Sequence, residues 1–143
     1  MENGVSLEII WFDQDLIEVI FRCSNGRYSG SAEIYLNHGA LCDLAKTLQG
    51  FPSELNDSRH VELGTFDQHY ADGGVKMDLR CSDSKGHPVV EIQLRGDGCR
   101  AFGELESVAL RIPIEPAAVD SFVQQLIAMD GTAGASASLR MAT

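Results

Sequence analysis

The segment 60–74 holds the densest group of chemically capable side chains in the chain, with His60 followed by the run TFDQHYADGG. Asp67, His69 and Asp72 contribute two carboxylates and an imidazole to it, and such groups bind zinc in proteins. Their spacing is not that of an established metal motif. A solvated loop turned by its glycines is the simpler interpretation, and we expect no metal and no cofactor. A small-molecule or metal-binding module with its site near this loop stays open as the alternative function.

Nucleophilic catalysis would require a side chain such as a cysteine beside a base. The four cysteines, Cys23, Cys42, Cys81 and Cys99, stand far apart, and none has a sequence signal for a paired histidine. Their spacing fits neither a zinc knuckle nor a redox motif. Cys23, Cys42 and Cys81 fall on apolar faces of predicted elements, where cysteine acts as a small hydrophobic residue. We therefore expect free thiols, with Cys23 and Cys81 buried, no catalytic residues and no enzymatic activity.

The charge balance narrows the class of partner. Twenty-one Asp and Glu against 11 Lys and Arg give a formal net charge of −10 over 143 residues, which argues against a nucleic-acid partner. The two parts 1–60 and 61–143 each contribute −5, so the acidity belongs to the whole surface. Such a field can steer a basic partner toward the protein.

Nothing in the sequence predicts a membrane or export role. The amino-terminal residues MENGVSLEII lack the basic and apolar regions of a signal peptide. No segment approaches the length of a membrane span. We expect a cytoplasmic protein that has no membrane partner.

Alternation of apolar and polar residues predicts strands in the first half of the chain. A strand at Ser6–Phe12 precedes a hairpin over Ile17–Leu36, and we place its turn at Asn25-Gly26 because both residues tolerate the positive φ of a type I′ turn. The next element is a helix capped by Asn37. Its apolar stripe is Ala40, Leu41, Leu44, Ala45 and Leu48, and Gly50 and Pro52 end it.

A second hairpin resembles the first at an offset of 58 residues. The stretches Ile17–Leu36 and Val75–Leu94 align without a gap. The identical pairs are Arg22/Arg80, Cys23/Cys81, Ser24/Ser82, Glu33/Glu91, Ile34/Ile92 and Leu36/Leu94. The rules of half-buried strands explain most of these identities, so a true internal duplication and two independent hairpins both remain open.

The remaining elements complete a mixed fold. Strands are predicted at Arg59–Phe66 and Glu104–Ile114, and Pro113 marks the latter as an edge strand or its end. A second helix begins at Pro116 and stops by Gly131. The small-residue segment 132–143 has no apolar face and is predicted to be a disordered tail.

This order of elements predicts an α+β protein. Tight turns and the absence of a strand–helix–strand rhythm favour antiparallel pairing. We expect one domain over residues 1–131, built on a single curved, mostly antiparallel sheet of about seven strands with two helices on one face. The other sheet face, rich in Glu, Arg, Ser and Tyr, is left for water or a partner.

The sequence also resembles a protein family. A strand ending in AEIYL, a capped helix GALCDLAKTLQGF, a strand with VEL, a strand ending in LRIPI and a closing helix AAVDSFVQQLIAM follow one another over Ile17–Met129. This series resembles the bacterial immunity proteins of wall-associated-protein toxin systems. The resemblance implies a small acidic cytoplasmic protein that binds and blocks the toxic domain of a partner, and it implies no particular binding residues.

Taken together, these observations predict a non-catalytic protein that neutralises a basic toxin domain. The outward face of the paired strands is the expected binding surface. Glu33 and Glu91 hold equivalent places in the two hairpins, and Tyr35 and Gln93 follow two residues later on the same faces. Tyrosine suits an interface because it joins a large apolar body to a hydroxyl group. Trp11 and Phe12 are further candidates for an exposed aromatic anchor, although a core position is favoured for at least one of them.

Overall fold

The computed structural model describes residues 2–66, 73–96 and 106–143, which form eight strands and two helices. In chain order these are β1 (Gly4–Phe12), β2 (Leu16–Ser24), β3 (Ser29–Asn37), α1 (Ala40–Leu48), β4 (Ser58–Gly64), β5 (Gly74–Cys81), β6 (Pro88–Arg95), β7 (Ser107–Pro113), α2 (Pro116–Ala128) and β8 (Ser136–Arg140). No helix within these ranges is long and apolar enough to cross a membrane.

All strand pairs are antiparallel, and the predicted α+β class is confirmed. The strands divide into a first sheet of order β3-β2-β1-β8 and a second sheet of order β4-β5-β6-β7, where one curved sheet of about seven strands was expected. Helix α1 separates β3 from β4 in the chain, and β4 then begins the second sheet. Pro113 ends β7, which is an edge strand as predicted.

The predicted disordered tail is wrong. Residues Ser136–Arg140 form β8, which pairs with β1 from Gly4↔Arg140 to Glu8↔Ser136. Ala137 and Leu139 on β8 are buried. Two inward side chains and a ladder of backbone hydrogen bonds therefore fix a segment whose composition resembles that of a disordered tail.

Both sheets and both helices enclose one hydrophobic core. Helix α1 packs against α2 and β4, and α2 packs also against β8, so the helices connect the outer strand of one sheet to the outer strand of the other. At the opposite side, β3 contacts all four strands of the second sheet. The largest fully buried side chains are Phe21, Phe51, Phe122, Leu7, Ile9, Ile17, Ile34, Leu48, Met77, Leu79, Ile92 and Leu94.

A close backbone approach on β3 explains one glycine. A Cβ atom at Gly30 would overlap the side chain of Val108 on β7. Glycine lets β3 cross the second sheet at this point because it has no side chain to displace. The loop between β2 and β3 is thereby brought against β7, where Asn25 Nδ2 lies 3.5 Å from the carbonyl oxygen of Arg111.

Two local details differ from the sequence prediction. The turn between β2 and β3 is centred on Gly26, with φ of 90°, and Arg27, since the Asn25 backbone N–H donates to the Tyr28 carbonyl. Asn25 itself has no positive φ. Its Oδ1 accepts hydrogen bonds from the backbone N–H groups of Arg27 and Tyr28. The residue preceding α1 is Gly39, and Asn37 instead accepts a hydrogen bond from the Gly39 N–H.

The two similar hairpins pair in the same register. Ile20 lies opposite Glu33 in the first, and Asp78 lies opposite Glu91 in the second. From Leu16↔Asn37 to Cys23↔Gly30, adding 58 to both members of a β2–β3 pair gives the corresponding pair of the β5–β6 ladder. The likeness seen in the sequence therefore extends to the backbone pairing, and it gives two equivalent outward faces to compare.

Candidate functional site

The outward face of the first sheet carries exposed aromatic and aliphatic side chains. Alternation along the strands aligns Trp11, Glu18 and Tyr35 in one row across β1, β2 and β3. The pairing of β1 with β2 shifts by one residue between Ile9 and Trp11, and this β-bulge leaves Trp11 opposite Glu18. We call the group of outward side chains around it the first-sheet surface: Glu8, Ile10, Trp11, Leu16, Glu18, Ile20, Glu33 and Tyr35.

The aromatic part of the first-sheet surface is preorganised. The rings of Trp11 and Tyr35 meet edge to face with centroids 6.3 Å apart, a favourable arrangement for aromatic pairs. Trp11 is nevertheless 44% exposed and Tyr35 48% exposed, with Ile10 and Leu16 also exposed beside them. Rigid, half-exposed aromatic groups of this kind are typical anchors of protein interfaces.

Carboxylates flank the aromatic pair. Glu18 lies beside Trp11 and Tyr35, and Glu33 lies opposite Ile20 in the next row. Within residues 2–66, 73–96 and 106–143, neither Glu18 nor Glu33 forms an ion pair, while Glu8 lies 3.5 Å from Arg22. The first-sheet surface thus combines an apolar centre with carboxylates available to a basic partner.

The turn between β1 and β2 positions Leu16 at one end of the first-sheet surface. Asp13 Oδ1 accepts hydrogen bonds of 2.8 Å from the backbone N–H groups of Asp15 and Leu16. These hydrogen bonds lower the pKa of Asp13, led by the one from Leu16. His38 Nε2 lies 2.6 Å from the Asp13 carbonyl oxygen, which ties the start of α1 to the turn.

The equivalent face of the second sheet carries ion pairs in place of aromatic groups. One row crosses all four strands as His60, Asp78, Glu91 and Arg111. Glu91 Oε1 lies 2.6 Å from Arg80 Nη2 and 3.1 Å from Arg111 Nη2. The Arg80 hydrogen bond is the main reason that the pKa of Glu91 is lowered.

His60 belongs to this charged row. Its Nδ1 lies 2.6 Å from Asp78 Oδ1, and its Nε2 lies 3.7 Å from Glu62 Oε2. The hydrogen bond to Asp78 raises the pKa of His60 above its ordinary value, with a smaller effect of Glu62. We call the outward side chains here the second-sheet surface: His60, Glu62, Lys76, Asp78, Arg80, Glu91, Gln93 and Arg111.

The predicted binding residues therefore divide between two surfaces. Glu33 and Tyr35 lie on the first-sheet surface, and Glu91 and Gln93 lie on the second-sheet surface. The structure adds Glu18 to the first pair and places Trp11 beside Tyr35. The strand register that aligns Trp11 with Tyr35 depends on the bulge in β1, which the sequence pattern did not reveal.

The loop near residues 60–74, the site of the alternative function, lies only partly within the described residues. Asp67, His69 and Asp72 lie outside the described residues, and His60 is engaged by Asp78. Among the described residues, no group of three or more His, Cys, Asp or Glu side chains could hold a metal ion.

The thiols differ from one another in exposure. Cys23 is fully buried, Cys81 is half-buried and Cys42 is exposed, and all three are free thiols. The expected burial is thus correct for Cys23 and only partial for Cys81, and the apolar face expected for Cys42 is wrong. Cys81 ends β5 beside a turn, and Cys42 lies off the buried stripe of α1. Cys99 lies outside the described residues.

Comparison with protein-family models, with curated proteins and with solved structures gives no match. The features of the molecule that bear on its function are therefore the chemical properties of the two surfaces.

Proposed function

We propose that this protein is a non-catalytic binding protein that neutralises a basic toxin domain, in the manner of an immunity protein. The observation that carries the proposal is the row Trp11–Glu18–Tyr35, which joins an exposed aromatic pair to a carboxylate without an ion-pair partner among the described residues. Aromatic anchors supply interface affinity, and carboxylates select a basic partner.

The charge of the whole chain supports the same partner. A formal net charge of −10 attracts a basic domain over distances of about a Debye length, roughly 8–10 Å in physiological salt. Glu33 extends the acidic rim of the first-sheet surface. Glu91, by contrast, already accepts hydrogen bonds from Arg80 and Arg111. We therefore assign the binding surface to the first sheet. A cytoplasmic location stays a prediction.

The test is binding to the carboxy-terminal domain encoded by the gene directly upstream, measured as association and dissociation rates. Wild type should bind at submicromolar concentration, and higher salt should slow association more than it changes dissociation. Absence of binding at micromolar concentration would contradict the proposal.

Variants locate the interface. Trp11→Ala and Tyr35→Ala should each speed dissociation about tenfold or more, as loss of an interface anchor does. Glu33→Lys should slow association, whereas Asp120→Lys on the exposed side of α2 changes the net charge equally and serves as the control. If both charge reversals slowed association equally, only the net charge of the protein would matter. That result would contradict an interface on the first sheet.

A further inference from the structure

A cleft opens between the second-sheet surface and the loop that joins β2 to β3. Its volume is about 480 Å³, which is within the range of small-molecule sites. The polar side chains that line it are Arg27, Lys76, Asp78, Glu91, Gln93 and Arg111. Ala109 lies opposite Gln93 on the edge strand β7, and because its side chain is small, the cleft stays open at this pair.

The loop that supplies Arg27 is fixed against β7. Asn25 Oδ1 accepts hydrogen bonds of 3.0 Å from the Arg27 N–H and 2.9 Å from the Tyr28 N–H. On the other side, Asn25 Nδ2 approaches the Arg111 carbonyl oxygen at 3.5 Å. Arg27 therefore faces the cleft from a different element than Lys76 and Arg111, which approach it from β5 and β7.

The carboxylates of the cleft are already engaged. Asp78 contacts His60 at 2.6 Å, and Glu91 contacts both Arg80 and Arg111. In the part of the chain that the structure describes, Arg27 and Lys76 form no ion pair, and Lys76 Nζ lies 4.3 Å from the ring centre of Phe66. The cleft thus has a surplus of positive charge on a protein whose formal net charge is −10.

We propose that this cleft binds a phosphate-bearing small molecule. Arginine presents planar N–H donors that match phosphate oxygens, and lysine adds a point charge. The volume exceeds what a phosphate group alone requires, and the Gln93 amide can hydrogen-bond the organic part of the ligand. The site is separate from the first-sheet surface, so it is independent of the proposed function.

The experiment is a titration of the full-length protein with inorganic phosphate, pyrophosphate and AMP, followed by amide chemical shifts and calorimetry. We expect saturable binding of AMP, with shift changes concentrated at Arg27, Lys76, Gln93 and Arg111. Inorganic phosphate should bind at the same residues but more weakly. The Arg27→Ala and Lys76→Ala variants should each weaken AMP binding about tenfold, the effect of losing one charge-assisted hydrogen bond.

Arg140→Ala is the matched control. Arg140 lies on β8 of the first sheet, pairs with Glu2 and does not line the cleft, so its replacement should leave AMP binding unchanged. Adenosine without its phosphate should not bind. Absence of saturation by all three phosphate probes up to about 10 mM, which corresponds to a binding free energy weaker than roughly 3 kcal/mol, would overturn the proposal. Equal weakening by all three arginine and lysine variants would also overturn it, because that result indicates a diffuse charge effect.

Discussion

The β2–β3 and β5–β6 hairpins share a register but present different chemistry on their outward faces. Their inward positions are buried alike, as Phe21 and Leu79 illustrate. Outward, Ile20 corresponds to Asp78, and Tyr35 corresponds to Gln93. One backbone frame thus carries an aromatic surface in the first hairpin and an ion-paired surface in the second. The backbone fixes where each side chain lies, whereas the identity of the outward residues decides what each position can bind.

Identical residues at equivalent places also act differently. Arg22 approaches Glu8 on the preceding strand, while Arg80 contacts Glu91 on the following one. Glu91 is therefore held by cations, and its equivalent Glu33 lies opposite the apolar Ile20. Sequence identity between the hairpins does not by itself indicate a duplicated site.

The largest expected effect concerns the inward positions. Phe21→Ala should lower the free energy of unfolding by about 3–5 kcal/mol and Leu79→Ala by about 2–5 kcal/mol, because each leaves a cavity in the shared core. The outward changes Ile20→Ala and Asp78→Ala, one residue away, should cost less than about 1 kcal/mol. Urea unfolding gives all four values. If one inward change had no effect, the hairpins would not contribute equally to one core.

The thiols of Cys23 and Cys81 hold equivalent places in the two hairpins but differ in burial. Burial raises the pKa of Cys23 to about 11 from its ordinary 9.0. At neutral pH this lowers the fraction of Cys23 present as the reactive thiolate about a hundredfold. Cys81 is half-buried at the end of β5. Labelling of the native protein, resolved by peptide mass spectrometry, should therefore modify Cys42 and Cys81 well before Cys23. Equal rates at Cys23 and Cys81 would show that the two strand ends are equally protected.

The smallest expected effect concerns the equivalent carboxylates. Because the pKa of Glu91 is lowered by Arg80, its contribution to stability is present above its unfolded pKa of about 4.3 and is lost as the pH falls through the folded value. Since its side chain is 41% exposed, Glu91→Gln should cost less than about 1 kcal/mol at pH 7. The cost should vanish in acid.

Glu33→Gln is the control for this carboxylate pair, since Glu33 forms no ion pair among the described residues and its replacement should leave the free energy of unfolding at pH 7 unchanged. Unfolding measured from pH 7 to pH 3 should show a difference between wild type and Glu91→Gln that disappears in acid. An equal cost of the two replacements at pH 7 would mean that the ion pairs of Glu91 add no stability, and the contrast between the surfaces would fail.

The periodic signals in the sequence were sufficient for most elements. Alternation identified the strands of both hairpins, and the stripe of α1 was correct at every buried position. The division into two sheets was not predictable in the same way, because alternation reports which face is buried and not which strand lies alongside. The strand β8 was missed because its inward signal consists of Ala137 and Leu139 among small polar residues.

The candidate site was predictable only in part. The alternation that placed Glu33 and Tyr35 on an outward face is local, and it is correct. The meeting of Tyr35 with Trp11 requires a three-strand register with a bulge, which is a nonlocal property. The cleft depends on a loop of one sheet reaching the face of the other, held by contacts between residues 86 positions apart. No local pattern contains that information.

The pairing of β8 with β1 has a consequence for folding during synthesis. Gly4 and Arg140 are partners. The side of β1 that pairs with β8 therefore has no partner until β8, the last strand, has been synthesised. At elongation rates of about 5–20 residues per second this interval is on the order of ten seconds, far longer than the microseconds in which a hairpin forms. During that time the backbone of β1 is an open edge, which can pair with other chains. Closure by β8 should therefore be a late step, and a nascent chain halted before residue 136 should be the form most prone to aggregate.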